Sequence, residues 1–362
     1  MKICIIDFDF TNFGGVEHVT ASIANKFAED FETHILSLCS SGSPDGKAAY
    51  KLDSRIKYHN LGLKRTHLRE MFKSFKKPIF EYIKSNEIDV AILQGHWAGF
   101  VATGACKSAK AKVIFCDHGS LKNQWNEKDA VVMRLSTAIR CNKLVTLTNI
   151  NADDYCRILP VRKKTRCIYN WVDTENYKFD GYDCNSRKIV SAGRFTKEKG
   201  FNMLLEVMQK VAKKCPDCVL DIYGDGELRS NLENQARELG IESNVNFMGM
   251  CDNLNTLYKN YAMYVMPSYR EGLPLVLLEA KSCGLPIVSF DIMTGPSDIV
   301  ANGKDGILIP PYDIEKMADS ICELLQNPDL RSKMSEFTQT DIGRFSKQKI
   351  YGDWLNLIDE LV

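Results

Sequence analysis

Short apolar runs alternate with amphipathic stretches along most of the chain. Unbroken apolar runs are typical of strands buried on both faces, whereas apolar residues at helical spacing are typical of helices packed on a core. The runs predict strands at Lys2–Phe8, His34–Leu38, Lys57–Leu61, Val90–Leu93, Val113–Cys116, Leu144–Leu147, Val245–Gly249 and Pro286–Phe290. Helical spacing predicts helices at His67–Lys84, Val131–Arg140, Met203–Lys213, Ile314–Leu325, Leu330–Phe337 and Lys347–Leu361. This alternation predicts an α/β protein whose mostly parallel sheets are covered by helices on both faces.

One polar loop between a strand and a helix carries a dense set of polar groups. The strand ends at Met266, and a helix is predicted to begin at Pro274, because proline suits the first helical position. Gly272 allows close backbone approach to a ligand, and the N–H groups of a helix start favour a phosphate. Glu271 and Glu279 bracket this point. The pattern favours a phosphorylated ligand with hydroxyl groups, such as a nucleotide-sugar, although an ordinary strand–loop–helix unit with solvated acids has the same residues.

A second loop in the same half of the chain offers positive charge. The segment 188–200 reads as a strand that delivers Arg194 at its carboxyl end, with Lys199 five residues later at a helix start. A forked guanidinium and a compact ammonium can both bind one diphosphate.

In the first half, three loops follow predicted strands. Gly14 and Gly15 lie in a strand–glycine loop–helix layout that lacks the G-x-G-x-x-G spacing, so a dinucleotide oxidoreductase is disfavoured. His96 and His118 each follow a strand at the edge where doubly wound sheets bind ligands, and His118 is the stronger candidate. Asp7-Phe-Asp9 has the form of a metal-binding D-x-D motif, but it ends the first strand, and we expect no metal there.

The Glu271-Gly-Leu-Pro…Glu279 pattern resembles the E-x7-E signature of retaining glycosyltransferases of the GT-B fold, family 4 (glycosyl transferases group 1). Arg194 and Lys199 match the pair that binds the donor diphosphate in that family. The similarity is strong over about residues 187–310. Over the first half it is architectural, apart from three matching residues: Gly14, Gly15 and His118. At the boundary, Asn170 and Asp173 match an Asn-x-Val-Asp motif in which Trp171 stands where the family more often has glycine.

The resemblance implies two Rossmann-like doubly wound domains that face each other across a cleft. The expected divisions are an acceptor-side domain at 1–170, a linker at 171–186, a donor domain at 187–340 and a C-terminal helix at 341–362 that packs back on the first domain.

The resemblance also implies residue roles. Glu271 would hold sugar hydroxyls, Glu279 the ribose, and His118 would orient the sugar. Arg194 and Lys199 would bind the diphosphate as catalytic groups. The remaining donor-binding candidates are Gly14, Gly15, Met250, Gly272, Leu273 and Pro274, with Cys251 a further candidate beside Met250 for the nucleobase.

These roles describe a retaining, metal-independent transfer from a nucleotide-diphosphate sugar, with uridine diphosphate expected, to a glycan or lipid-linked glycan. The expected setting is bacterial surface polysaccharide, lipopolysaccharide or capsule synthesis. No cofactor, metal ion or nucleic-acid partner is expected. Two alternatives stay open: a nucleotide-sugar epimerase on the same fold, and a non-catalytic nucleotide-sugar-binding protein.

Composition narrows the setting. The chain has 362 residues, 44% hydrophobic and 26% charged, which is ordinary for a globular protein of two domains. Asp7 and Asp9 follow the first apolar run closely, which argues against a signal peptide, and no run is long enough to span a bilayer. Thirteen cysteines without regular spacing predict free thiols in a reducing cytoplasm, and Cys215-Pro-Asp-Cys218 is read as a structural pair.

Charge is divided unevenly. Up to Asn170 the chain has 26 Lys and Arg against 17 Asp and Glu, whereas the remainder has 21 against 29. The helix near 64–84 carries many of these cations opposite an apolar stripe. It suits peripheral contact with the anionic inner face of a membrane, and it equally suits a core-facing helix with a solvated face.

Overall fold

A computed structural model describes residues 1–172, 181–251 and 253–361 of the chain. The contacts divide it into two units, Met1–Ile168 with Asn356–Val362, and Tyr169–Leu355. Asp173 of the boundary motif, and with it the linker positions 173–180, lie outside the described residues. Each unit is a parallel sheet with helices, so the predicted α/β class is confirmed.

The first unit contains a seven-stranded parallel sheet in the order β3-β2-β1-β4-β5-β6-β7. Its strands are β1 (Lys2–Asp7), β2 (Glu32–Ser37), β3 (Lys57–Asn60), β4 (Val90–Gln94), β5 (Lys112–Asp117), β6 (Lys143–Thr146) and β7 (Thr165–Cys167). Its helices are α1 (Gly15–Phe27), α2 (Leu68–Ser74), α3 (Lys76–Ser85), α4 (Gly95–Ser108), α5 (Lys128–Arg140) and α6 (Asn149–Ile158). The central strands β1, β4 and β5 are buried almost throughout, because helices cover both faces.

The basic helix predicted at 67–84 is two helices, α2 and α3, and its apolar stripe faces the core. Met71, Phe75, Ile79 and Ile83 are at most 1% exposed and belong to the buried cluster of the first unit. Its lysines and arginines are exposed, with Phe72 as the one strongly exposed large apolar side chain within α2 and α3. The periodicity is thus explained by core packing, and membrane contact stays a prediction. Among the described residues, no helix is long and apolar enough to cross a bilayer.

The second unit contains a six-stranded parallel sheet in the order β10-β9-β8-β11-β12-β13. Its strands are β8 (Lys188–Ala192), β9 (Val219–Tyr223), β10 (Val245–Gly249), β11 (Met263–Met266), β12 (Ile287–Phe290) and β13 (Gly306–Ile309). Its helices are α7 (Phe201–Lys214), α8 (Arg229–Glu238), α9 (Leu275–Ser282), α10 (Pro296–Ile299), α11 (Ile314–Gln326), α12 (Pro328–Asp341) and α13 (Lys347–Asp359), whose last residues belong to the first unit.

Helices α7 and α11 pack together over this sheet. In α7, Leu204, Met208 and Val211 recur at helical spacing and are fully buried, which is why this segment is a helix with one apolar face. All thirteen cysteines of the chain are present as thiols and not as disulfides, including the buried Cys215 and Cys218.

The strand order reverses at one place in each sheet. In the first unit this place lies between β1 and β4, and in the second between β8 and β11. Loops that leave the carboxyl ends of such neighbouring strands run in opposite directions and leave a crevice, which is where doubly wound sheets bind ligands. The loops that the sequence selected at Gly14, His96, Arg194 and Glu271 all follow one of these four strands.

Candidate active site

The second unit brings together two residues that are 72 positions apart in the sequence. Lys199 Nζ donates to Glu271 Oε1 at 2.7 Å, and Ser268 Oγ donates to the same oxygen at 2.8 Å. Lys199 comes from the loop after β8 and Glu271 from the loop after β11, so the contact lies at the reversal point of the sheet. The two strongest candidates from the sequence therefore form one polar cluster.

Close backbone packing fixes this cluster. Gly200 has a φ of 67°, and a Cβ at this position would lie 2.2 Å from the carbonyl oxygen of Pro267. The Tyr269 N–H donates to the Glu198 carbonyl at 2.8 Å, which joins the same two loops again. Lys199 is thus held between two points where the loop after β8 contacts the loop after β11, and only glycine fits at position 200 without strain.

A third loop supports Glu271 from the other side. Thr294 Oγ1 donates to the Glu271 carbonyl at 2.8 Å. Gly295 has a φ of 104°, and a Cβ there would lie 2.6 Å from Pro274 Cδ. The predicted start of the helix is wrong by one residue: Pro274 has extended backbone and precedes α9, which begins at Leu275. Because proline has no N–H, the first helical N–H group of a phosphate seat is that of Leu275 with either helix start.

Glu279 lies on the first turns of α9, and its charge acts on a tyrosine that sequence reasoning did not select. Tyr264 is fully buried in β11, and its hydroxyl donates to the Ala192 carbonyl and accepts from the Ala192 N–H, each at 3.0 Å. Burial raises the pKa of Tyr264 well above its usual range, and the carboxylates of Glu279 and Glu271 raise it further. Both acids thus act on the hydroxyl that fixes the end of β8. A tyrosine inside an apolar run gives no sequence signal of this role.

The remaining donor-side candidates are placed as follows. Arg194 is exposed, two residues beyond β8, while its neighbour Phe195 is fully buried and anchors the loop. Met250 is 77% exposed directly after β10, and Cys251 is half-buried. Gly272 and Leu273 lie between Glu271 and α9, with Leu273 buried.

In the first unit, His118 contacts a buried glutamine. His118 Nε2 hydrogen-bonds Gln94 Oε1, and burial lowers the pKa of His118 to about 4. The ring is therefore neutral at pH 7. It lines a cavity of about 970 Å³ at the reversal point between β1 and β4, and Gln94 and His96 line the same cavity.

A buried ion pair shapes the loop that carries His118. Arg134 Nε donates to Asp117 Oδ1 at 2.9 Å, and each side chain is at most 2% exposed. Burial alone would raise the pKa of Asp117, but the charge of Arg134 and a hydrogen bond from Tyr155 at 2.8 Å lower it overall. A Cβ at Gly119 would lie 2.4 Å from Arg134 Nη2, so the glycine of Asp117-His-Gly-Ser120 makes room for the guanidinium. Sequence reasoning missed Arg134 and Tyr155, because neither lies in the loop.

The glycine pair lies at the start of α1. Gly15 is the first residue of the helix, and Gly14 precedes it with extended backbone. A Cβ at Gly14 would lie 2.3 Å from Glu17 Oε2, so the Glu17 side chain folds over this glycine. Tyr50 donates its hydroxyl to the Gly14 carbonyl at 3.0 Å.

The carboxylates of Asp7 and Asp9 are engaged within the protein. Asp9 accepts from the N–H and hydroxyl of both Ser41 and Thr11. Asp7 accepts from the Asp9 N–H at 3.0 Å and from Thr20 at 3.2 Å, and burial together with Glu17 raises the pKa of Asp7 to about 7. Within residues 1–172, 181–251 and 253–361, no three His, Cys, Asp or Glu side chains are grouped so that they could hold a metal ion.

Two family models match the chain. The model of Glycosyltransferase Family 4 matches residues 13–176, and the model of Glycosyl transferases group 1 matches residues 174–341. Together the two matches span residues 13–341, which include the glycine loop at Gly14 and Gly15 and the loop that carries Glu271.

Curated relatives align over nearly the whole chain. An uncharacterized glycosyltransferase of Haemophilus influenzae is 28% identical over 359 residues, which cover 99% of each chain. A Campylobacter jejuni alpha-1,4-N-acetyl-D-galactosaminyltransferase, named for an acceptor glycan on PP-undecaprenol, is 24% identical over 367 residues, covering 100% of this chain and 99% of that protein. Among solved structures, Anabaena HepE in complex with UDP has a TM-score of 0.85 at 17% identity, covering 99% of this chain and 100% of that one. This structural likeness shows a shared fold.

Proposed function

Because the chain belongs to the family 4 glycosyltransferases and is an enzyme of the GT-B fold, we propose that it transfers a sugar from a uridine-diphosphate donor to a glycan or lipid-linked glycan. The transfer retains the anomeric configuration and uses no metal ion. The observation that carries this proposal is the contact between Lys199 and Glu271 at the reversal point of the second sheet.

The proposed chemistry places fixed positive groups where negative charge develops. When the bond between sugar and diphosphate breaks, charge accumulates on the leaving oxygen while the anomeric carbon becomes cationic. Donors that are already in position stabilise this transition state more than the ground state. Lys199, Arg194 and the N–H groups at the start of α9 would bind the diphosphate. Lys199 has three N–H donors, so a phosphate oxygen can bind it while the contact with Glu271 persists.

Glu271 is proposed to hold sugar hydroxyls, and Glu279 the ribose. Glu271 is positioned through its side chain by Lys199 and Ser268 and through its backbone by Thr294, so its carboxylate is fixed before any ligand binds. A carboxylate held in this way accepts hydroxyl hydrogen bonds without further ordering, which favours both affinity and orientation. On the other unit, the neutral ring of His118 is proposed to orient the donor sugar, as the resemblance implies.

The acceptor is proposed to be a glycan of bacterial surface-polymer assembly. The relative from Campylobacter jejuni acts on an undecaprenol-linked glycan by its name. A role as epimerase gains no support from the relatives reported above, which are named transferases.

Transfer of labelled sugar from a panel of nucleotide-sugars tests the proposal. Lys199→Ala should lower kcat by about 10²–10³, the usual cost of removing one fixed donor at a site of developing charge. Glu271→Ala should also lower the transfer rate strongly, because it removes the carboxylate that holds the sugar hydroxyls and positions Lys199. Lys197→Ala is the matched control, because Lys197 is an exposed lysine of the same turn. Activity should persist in excess EDTA, and NMR of the product should show the anomeric configuration of the donor.

Wild-type rates in both variants would reject the site. Complete loss of activity on chelation would reject the metal-independent part of the proposal. Inverted product would reject retention while leaving the site in place.

A further inference from the structure

The cavity at the reversal point of the first sheet is lined by two guanidinium groups that none of the roles above uses, those of Arg65 and Arg134. Arg65 lies over Trp97, and both arginines act on His96; these four side chains are called the cationic end of the cavity. A neighbouring cavity of about 560 Å³ is also lined by Arg65, His96 and Trp97. These three side chains therefore form a wall between two neighbouring cavities.

Arg65 is held by aromatic rings. Its guanidinium lies over the Trp97 ring, 4.8 Å from the centroid, and 5.9 Å from that of Phe8. Phe8 and Trp97 are themselves packed at 5.6 Å. In the part of the chain that the structure describes, Arg65 has no ion pair and no hydrogen bond, and the same is true of Lys64. A guanidinium stacked on a ring keeps its N–H edge available for an oxyanion.

Two residues that line the cavity carry buried donors without a partner among the described residues. Arg134 is 2% exposed, and its Nε and Nη2 are bound by Asp117 and Gln124. Its Nη1 is buried without a hydrogen-bond partner among the described residues, and so is Nε2 of Gln94, which is also 2% exposed. Buried donors are nearly always paired, so two unpaired N–H groups on residues that line one cavity favour a ligand rich in acceptor oxygens.

His96 lies near both guanidinium groups. Burial, together with the charges of Arg134 and Arg65, lowers the pKa of His96 to about 4, although Asp117 and Glu127 act in the opposite direction. Both arginines are therefore near enough to His96 to act on its ring electrostatically. An anion bound beside this ring would reverse that effect.

We propose that the cationic end of this cavity binds a phosphate group of the acceptor, between the stacked guanidinium of Arg65 and the free Nη1 edge of Arg134. This inference rests on the proposed function, whose acceptor it specifies. Phosphate supplies several acceptor oxygens at once, which matches two guanidinium edges and the amide of Gln94. The PP-undecaprenol acceptor in the name of one relative carries phosphate.

Asp7, Asp9 and Glu17 also line the cavity, beside β1 and α1. Carboxylates accept hydrogen bonds from sugar hydroxyls and repel phosphate, so these acids suit the neutral sugar of the same acceptor.

Calorimetric titration of the full chain with inorganic pyrophosphate tests this site. Arg65→Ala should weaken one binding event by about tenfold or more, since a charge-assisted bidentate contact is lost. Arg65→Lys should recover part of the affinity. The control is Arg69→Ala, which removes an exposed cation of α2 that does not line the cavity. Lys199→Ala should leave the Arg65-dependent event intact, which separates it from any pyrophosphate bound at the donor site.

Two further measurements sharpen the result. Bound pyrophosphate should raise the pKa of His96, followed by NMR, in the wild type and not in Arg65→Ala, which a purely structural role of Arg65 would not produce. Glucuronate should bind the wild type at least about tenfold more weakly than pyrophosphate, because a single carboxylate has fewer acceptor oxygens.

Equal losses in Arg65→Ala and Arg69→Ala, or no loss in Arg65→Ala, would overturn the site. Equal affinity for glucuronate would overturn the assignment to phosphate. These outcomes are distinguishable from a failure of the proposed function, because that failure is measured in the sugar-transfer assay and not in these titrations.

Discussion

The carboxyl edges of the two sheets are built in different ways. In the second unit, the polar cluster of Lys199 and Glu271 is assembled from loops that run directly from one strand into a helix. In the first unit, the cavity wall depends on side chains from outside the loops, since Asp117 is fixed by Arg134 of α5 and Tyr155 of α6. Substitutions in the cluster of the second unit should therefore mainly lower the rate of sugar transfer. Substitutions in the cavity wall of the first unit should mainly lower the free energy of unfolding.

The largest expected effect is a loss of stability of the first unit when its buried ion pair is broken. Asp117→Asn leaves the charge of Arg134 buried at 2% exposure without its partner, and breaking such a pair costs about 3–5 kcal/mol of the free energy of unfolding. Hydrogen exchange of β5 amides measures the stability of the first unit directly.

Lys47→Ala is the control for that measurement. It breaks the exposed ion pair with Asp45 in the same unit, and it should leave amide protection unchanged. Equal protection in Asp117→Asn and wild type would show that the pair contributes nothing to the first unit.

The same difference between the two units explains which parts of the fold and of the candidate site the sequence predicts. Alternating apolar runs and helical spacing predict both sheets, because each strand and helix is encoded locally. The second-unit loops are also local: Glu271 and Glu279 are separated by fixed spacing, and the family resemblance based on them is confirmed by the two matching family models.

Tertiary partners account for what the sequence did not predict. Arg134 and Tyr155 reach Asp117 from two different helices, and Arg65 reaches Trp97 from a segment that has no strand or helix. No spacing in the sequence encodes such contacts. The periodicity of α2 and α3 likewise fits a core or a membrane, and only the burial of residues such as Ile79 and Ile83 identifies the core as its partner.

The next effect compares two glycines of the second unit with the same backbone. Gly200 and Gly240 both have a φ of 67°, but a Cβ at Gly200 would lie 2.2 Å from the Pro267 carbonyl oxygen, whereas nothing lies within 4 Å at Gly240. Both alanine variants should lose about 1–2 kcal/mol from the left-handed backbone alone. Gly200→Ala should lose more, and it should also lower the rate of sugar transfer, because the loop that holds Lys199 must move.

Urea unfolding and a transfer assay on both variants separate the two contributions. If Gly240→Ala were as destabilised and as slow as Gly200→Ala, the close approach of the two loops would have no role in positioning Lys199.

The last effect is a change in how stability depends on pH. The pKa of Asp7 is raised to about 7 by burial and by Glu17, against about 3.9 for an unfolded chain. Between these values the folded protein binds more protons at Asp7 than the unfolded chain, so this group makes stability fall as pH rises from about 4 to about 7. His96 and His118, whose pKa values are lowered to about 4, act in the opposite direction, because the unfolded chain binds more protons at them up to about pH 6.5. Asp7→Asn removes only the falling contribution. The melting temperature of Asp7→Asn should therefore rise more steeply with pH than that of the wild type. The corresponding difference in the free energy of unfolding is at most about 1.4 kcal/mol per pH unit. Parallel profiles of the two proteins between pH 4 and pH 7 would show that Asp7 is ionised in the folded state throughout.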